Sequence, residues 1–492
     1  MSELKKTLVF VGFGTIAETF SSLVSNKVVA LSLGPSGIGT VGQINNFYGL
    51  GVTLAELGLL IGITRFIAEA KEKNDDCMMA SIIFTSFVFS SLLALILTIL
   101  SYVFAERLSN WFLGSNSLYQ LIWIAAPGLF FSTLYRKSDS VLQGMRDARL
   151  ITTTRIIMAI IMPFFTIGFV HFLGVKGAVI NTLVRQILGG TLVFFLLFRS
   201  LKHINISFSM KYFNWQILNK LFSIGLSTMI VSILLSSTST LVRSLIVKNG
   251  GLNEAGAFQA AWGLIFIATS LTITTLSYYT FPKVSSLTSD PDRIIVMNES
   301  IAFGVSLITA SSLVIVVPRE FIVTILYRGD FNLVGPLLPL IGLGSVLYIS
   351  WWIIGTPFVA KNRLKALVLL NAIPPSLFVL FTIIFLPNYG LISVAISYAL
   401  ANGITLVVFL LDAFKSMQFQ LSQRNTSLII GSVGVIIGQV IIQNSDLWGL
   451  VTRTSLAVGW FVLMLYSTNY YFNWKNIAPM LKDKIKSLMG LS

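Results

Sequence analysis

Fourteen times along this chain an apolar run of roughly twenty residues, enough for a helix to cross hydrocarbon, is followed by a polar break. The runs fall near 7–31, 45–64, 78–104, 118–135, 156–173, 177–198, 221–247, 256–280, 294–317, 333–357, 366–386, 391–411, 427–443 and 454–472. Inside a bilayer every backbone polar group must find its partner within the protein, which leaves helices as the natural reading of such runs. The chain is therefore expected to be an all-α polytopic membrane protein of about fourteen transmembrane helices. Only 11% of its 492 residues are charged, against about a quarter in a soluble domain. The shortest run is the thirteenth, "SLIIGSVGVIIGQVII". The first run follows Lys5 and Lys6 but is too long and too polar near Asn26 and Lys27 for a cleaved leader, so an uncleaved first span is expected. One cysteine, Cys77, and two histidines, His171 and His203, exclude a disulfide framework and supply no set of ligands for a metal.

The net charge of +15 raises the question of a nucleic-acid partner, and the placement of the charge answers it. With both termini in the cytoplasm, 25 of the 34 Lys and Arg residues fall on cytoplasmic segments. Six fall on the opposite face (Arg107, Lys176, Lys248, Arg319, Arg328 and Arg453), and Lys27, Arg185 and Arg243 lie within spans. This is the asymmetry that the positive-inside rule describes. The basic excess reports topology and contact with anionic lipid, not nucleic acid.

The chain also repeats itself. "GPSGIGTVGQ" at Gly34 matches "GLNEAGAFQA" at Gly251, "NWFLGSN" at Gly114 matches "TILYRGDF" at Gly329, and "FLGVKGAV" at Gly174 matches "LPNYGLISVA" at Gly390. The basic loops "GMRDARL" and "AKNRLKAL" align in the same register. Six spans per repeat is an even number, so the halves enter the membrane from the same side and form parallel repeats. The expected organisation is an N-lobe over 1–205, a C-lobe over 206–415, and two additional helices with a basic cytoplasmic tail over 416–492. Two facing six-helix lobes suit alternating access to a substrate between them.

Charges at membrane depth are costly and usually face a cavity or a partner. Shifting Lys27 by the interval that carries Gly174 to Gly390 lands on Arg243. Each half thus places a cation on its first helix, and Arg185 adds a third on the sixth span. Such cations suit a substrate bearing phosphate, although Lys27 and Arg243 are near enough to the outer end to snorkel. Arg65, in "ITRFIAEAKEK", closes the cytoplasmic end of span two and is a candidate for admitting substrate. Glu18 and Glu56 lie in the middle of spans one and two. They are candidates either for pairing with the cations or for binding a coupling proton or sodium ion, and the sequence does not choose. The string Gly34, Gly37, Gly39 lacks the order and the Lys-Ser/Thr of a phosphate loop and reads as a tight outer turn.

"LGPSGIGTVGQINNFYGL", followed by "GITRFIAEA", resembles the first two spans of O-antigen (Wzx-type) polysaccharide flippases of the multidrug/oligosaccharidyl-lipid/polysaccharide superfamily. "ILYRGDF" at 325–331 is similar to a short element before the tenth span there. The resemblance covers most of the first twelve spans. It implies two six-helix lobes in a V and a cationic cavity with basic residues on the first helix of a lobe. It also implies movement of a polyprenyl-pyrophosphate-linked oligosaccharide from the cytoplasmic to the outer leaflet of a bacterial inner membrane. No cofactor is implied beyond a coupling ion, and polysaccharide polymerase machinery is the expected protein partner. A multidrug or cation antiporter of the superfamily would favour acidic and aromatic cavities, and its lipid II flippases carry more arginines in the N-terminal lobe. A membrane glycosyltransferase or polymerase would need catalytic clusters on long outer loops, and the outer loops here are short. A transporter rather than an enzyme is expected.

Overall fold

The computed structural model describes residues 3–203, 209–327, 329–360, 364–442 and 446–472. The basic tail expected after the last helix, Arg328 of "ILYRGDF" and the loop residues 361–363 lie outside the described residues. Every element of regular structure among those described is helical. The first half runs α1 (Glu3–Glu56), α2 (Leu59–Glu72), α3 (Asp76–Val103), α4 (Ala105–Leu113), α5 (Tyr119–Ala125), α6 (Gly128–Gly144) and α7 (Ala148–His203). The remainder runs α8 (Trp215–Ser286), α9 (Asp290–Val316), α10 (Arg319–Leu326), α11 (Val334–Ile354), α12 (Thr356–Ala360), α13 (Leu364–Tyr389), α14 (Ile392–Met417), α15 (Gln423–Ile441) and α16 (Leu447–Phe472).

Three helices are too long for one crossing. α1, α7 and α8 have 54, 56 and 72 residues, and at about 1.5 Å per residue each would overrun the hydrocarbon. Each is broken at one glycine with positive φ: Gly34 (65°), Gly174 (56°) and Gly251 (73°). Only glycine adopts this conformation without steric cost. Gly34 and Gly251 hold matching places in the two repeats, and Gly174 matches Gly390, which also has positive φ (65°). The repeat read in the sequence thus returns as a repeated backbone device.

Among the described residues, nine helices are long and apolar enough to cross a membrane, or eleven if each of two bent pairs is one span. Dividing α1, α7 and α8 at their glycines adds three, which is consistent with the fourteen spans expected. The chain is a multi-pass membrane protein. Span two is not a straight rod. It bends by 55° between α1 and α2, through Leu57 (φ 43°) and Gly58 (φ 74°). A leucine in this region is strained and persists only where its surroundings hold it.

The described chain divides into two compact units. The first comprises Met1–Gln259 with Leu326–Phe331. Within it α7 packs along α1 and α6, and α6 also packs against α2 and α3. One apolar core gathers Ile63, Ile67, Ile83, Leu142, Leu197 and Leu221, and another gathers Ile44, Phe47, Phe112, Ile122 and Leu129. Pro127 separates α5 from α6, and the hydroxyl of Tyr48 donates to the Ala125 carbonyl there at 2.8 Å. The second unit comprises Ala260–Ile325 and Asn332–Ser492. In it α11 packs against α9 and α14, α13 against α14, and the pair α15–α16 against α9.

The glycine string is the tight turn that the sequence suggested, and it does more than turn. Beyond the Gly34 turn, α1 continues at once and brings Gly39 against Gly256 on α8. A β-carbon on Gly39 would collide with the carbonyl oxygen of Leu252, and one on Gly256 with that of Pro35. Small residues at membrane helix contacts allow such backbone approach.

Candidate functional site

Within the first unit the charged side chains of the spans, Lys27 apart, gather into two clusters and one anchored arginine. The larger cluster is built on α1, α6 and α7. Glu18 of α1 lies 3.9 Å from the Nε of Arg155 on α7. The Nη1 of Arg155 donates to the hydroxyl of Thr15, one turn before Glu18, at 3.0 Å. Arg185, on the second limb of α7, lies in the field of the same Glu18 carboxylate. The phenol of Tyr135 on α6 lies beside the same Arg155 and Glu18. Close by, a polar seam joins α1 to both limbs of α7: Asn181 donates to Thr166 at 2.9 Å, and Thr166 to Ser25 at 3.2 Å. Among the described residues, the Nε of Arg155 and the Oδ1 of Asn181 are buried without a hydrogen-bond partner. Two guanidinium groups and one carboxylate leave the cluster net positive, with planar donors shaped for oxyanions.

The second cluster sits at the α1–α2 bend. Glu56, the last residue of α1, is 4% exposed and lies 3.5 Å from the Nε of Arg136 on α6. The next residue on α6, Lys137, is 1% exposed. Neither Lys137 Nζ nor Glu56 Oε1 has a hydrogen-bond partner among the described residues. One turn further along α6, Ser140 and Thr64 hydrogen-bond to each other at 2.8 Å, and Ser140 donates to the Leu60 carbonyl at 2.9 Å. α6 therefore grips the chain on both sides of the bend.

The other candidates are placed differently. Arg243 is half-buried on α8, donates to Gln259 at 3.1 Å and to Ser239 one turn back, and lies 5.9 Å from the ring of Phe258. Lys27 is exposed. Arg65 is exposed and pairs with Glu69 one turn along its own helix at 2.8 Å. Arg185 and Glu18 thus share a cluster, Glu56 belongs to another, and Arg243 is held by neighbours near the Gly251 turn.

Tyr135, Arg136, Lys137 and Arg155 escaped sequence reasoning. All lie at or between the facing ends of the fourth and fifth apolar runs, where basic residues read as the cytoplasmic charge of the positive-inside rule. One signal was available: Lys137 sits in "RKSDS", where small hydroxyl residues make one face of α6 able to pack closely.

A sequence model of the family described as polysaccharide biosynthesis protein matches residues 28–332. The lipid III flippase of Escherichia coli (strain K12) is 21% identical over 403 residues, covering 80% of this chain and 94% of that protein. Among solved structures, the lipid II flippase MurJ in an inward closed conformation superposes with a TM-score of 0.73 at 18% identity, covering 96% of this chain and 100% of that one. An inward-facing multidrug resistance MATE family transporter of the MOP superfamily gives a TM-score of 0.72 at 16% identity, covering 82% of this chain and 94% of that one. These relatives carry flippase and transporter names, in keeping with a protein that is not an enzyme. With more than half its length matched, this chain belongs to the polysaccharide biosynthesis protein family, and its helical fold is similar to that of MOP-superfamily transporters.

Proposed function

We propose that this protein is a flippase that moves a polyprenyl-pyrophosphate-linked oligosaccharide, an O-antigen or related repeat unit, from the cytoplasmic to the outer leaflet of a bacterial inner membrane. The observation that carries this reading is the net-positive cluster of Arg155 and Arg185 around Glu18. Paired guanidinium groups within a membrane unit suit a diphosphate headgroup and do not suit a cationic drug. The family match and the flippase names of its relatives support the same class of cargo. In this reading Lys27 and Arg243 contribute to the basic lining, and Arg65 serves at the cytoplasmic mouth. The lobes are 1–205 and 206–415 with 416–492 appended, and both termini face the cytoplasm. A coupling ion, proton or sodium, drives the cycle, with Glu18 and Glu56 as carboxylates available to it. Polymerase machinery receives the product.

The test is export of the lipid-linked saccharide in cells whose own flippase is deleted. A charge-assisted hydrogen bond contributes about 1.5–3 kcal/mol, so the double substitution Arg155→Gln, Arg185→Gln should lower export at least about 100-fold. Protein levels in the membrane should hold. Normal export by that variant removes the phosphate-binding role. If the wild type exports cationic drugs and no lipid-linked saccharide, the multidrug antiporter reading replaces this one.

A further inference from the structure

We infer that Lys137, a residue distinct from both of the expected ion-coupling carboxylates, exchanges the proton that drives the bend between α1 and α2. The role in driving export rests on the flippase reading above, but the bend itself does not. The first observation is isolation. Lys137 is 1% exposed, and its ammonium group has no hydrogen-bond partner among the described residues. A buried ammonium with no hydrogen-bond acceptor has its desolvation offset only in part, here by the charge of Glu56, and two events relieve it: loss of the proton or arrival of an anion. Full burial leaves no room for a polyatomic anion, whereas a proton needs only a brief chain of water.

The second observation is position. Lys137 faces the last residue of α1, Glu56, on one side of the bend, while Ser140, one turn along α6, is bonded to Leu60 and Thr64 on the other. The charges acting on Lys137 are the attractive carboxylate of Glu56 and the repulsive guanidinium of Arg136. Several other charged groups on the helices around α6 have partners elsewhere. Arg155 of α7 is turned to Thr15 and Glu18. On α2, Arg65 pairs with Glu69, Lys71 donates to the Met145 carbonyl, and Glu72 pairs with Arg146. On α3, Asp75 caps the N-terminus by accepting from Met78, and Asp76 lies in the first turn.

With the proton on, Glu56 is drawn toward α6 and the strained Leu57, with Gly58 beside it, is held in its left-handed conformation. With the proton off, Arg136 alone holds Glu56, its guanidinium half-exposed and 3.5 Å away, and the bend is free to straighten. The proton leaves Lys137 Nζ for water and returns from water, so nothing else is consumed.

The test needs no substrate. Amide hydrogen–deuterium exchange over residues 52–62 is followed against pH on the purified full chain and corrected for the intrinsic rate. For one exchanging proton the opening equilibrium changes by up to about tenfold per pH unit within the titration range. Wild type should show this dependence. Lys137→Met should match wild type at high pH, and Lys137→Arg, which keeps the charge and guards against misfolding, should match wild type at low pH. Both variants should be flat between. If Lys137→Met or Lys137→Arg retains the wild-type profile, or if wild type has none, the inference is overturned, whatever cargo the protein carries.

Discussion

Two carboxylates, Glu56 in the first unit and Glu320 in the second, each stand beside two basic residues, and their surroundings could hardly differ more. Glu320 accepts from Arg453 at 2.7 Å and from Arg319 at 3.1 Å. Arg319 spends its other two nitrogens on the carbonyls of Gln439 and Ile442, at 2.8 Å each, at the C-terminal end of α15. Arg453 also donates to the Gly449 carbonyl, and Gln439 donates to the carbonyl of Arg453. Cations placed on the last carbonyls of a helix answer its exposed acceptors and its dipole. Glu56 has one ion pair at 3.5 Å and, beside it, a lysine without a hydrogen-bond partner among the described residues. A network whose charges are paired and hydrogen-bonded fastens helices together, here α10 to α15 and α16. An unsatisfied one stores electrostatic energy that a change of charge can release. A carboxylate between two basic residues thus serves as a rivet in one unit and as a spring in the other.

The comparison can be broken from either end. The largest effect is expected at Arg453, which is 1% exposed. Arg453→Met should lower stability by about 3 kcal/mol, because one partner of a buried charge network is removed. Thermal unfolding in detergent measures this, and an unchanged melting temperature would show that the rivet holds nothing. A smaller effect is expected with acid. Burial raises the Glu320 carboxyl, but the hydrogen bonds from Arg453 and Arg319 outweigh it and hold the group below its ordinary value of 4.5. A group lowered in the folded state stabilises it fully above the unfolded value and loses that contribution as pH falls through the folded one. The stability difference between wild type and Glu320→Gln should therefore be constant near neutrality and shrink on acidification below pH 4.5. A difference independent of pH would mean that Glu320 is not ionised in the network. The smallest effect is expected at Arg65. Its exposed pair with Glu69 contributes about 0.3–0.5 kcal/mol, so Arg65→Gln should barely move the melting temperature. Any larger loss of export in that variant would then report contact with cargo.

The sequence showed the architecture clearly because lipid enforces it. Membrane-length runs, the basic bias of alternate loops and the glycines at 34, 251, 174 and 390 are local signals, each readable within a short window. The clusters were legible only in part. Glu18, Glu56 and Arg185 stood out because a charge in an apolar run is conspicuous. Lys137, Arg155, Arg319 and Arg453 did not, because each lies at or beyond the end of an apolar run and reads as a charge facing water. Their partners are distant in sequence: the whole of α2 through α5 separates Glu56 from Lys137, and Glu320 lies 133 residues before Arg453. No local pattern encodes such pairings. The 55° bend at Leu57–Gly58 was hidden for a related reason, since hydropathy is blind to the direction in which a helix runs.

The meeting of Gly39 with Gly256 has a consequence for how such a chain can change over time. The two glycines hold equivalent places in the two repeats, and so do the carbonyls that crowd them, those of Leu252 and Pro35. The seam is therefore self-complementary, as in a two-fold dimer of identical halves. A larger residue at either glycine would press on one half of the same close seam. The pair amounts to one instruction written twice, and neither copy can drift while the other keeps its place.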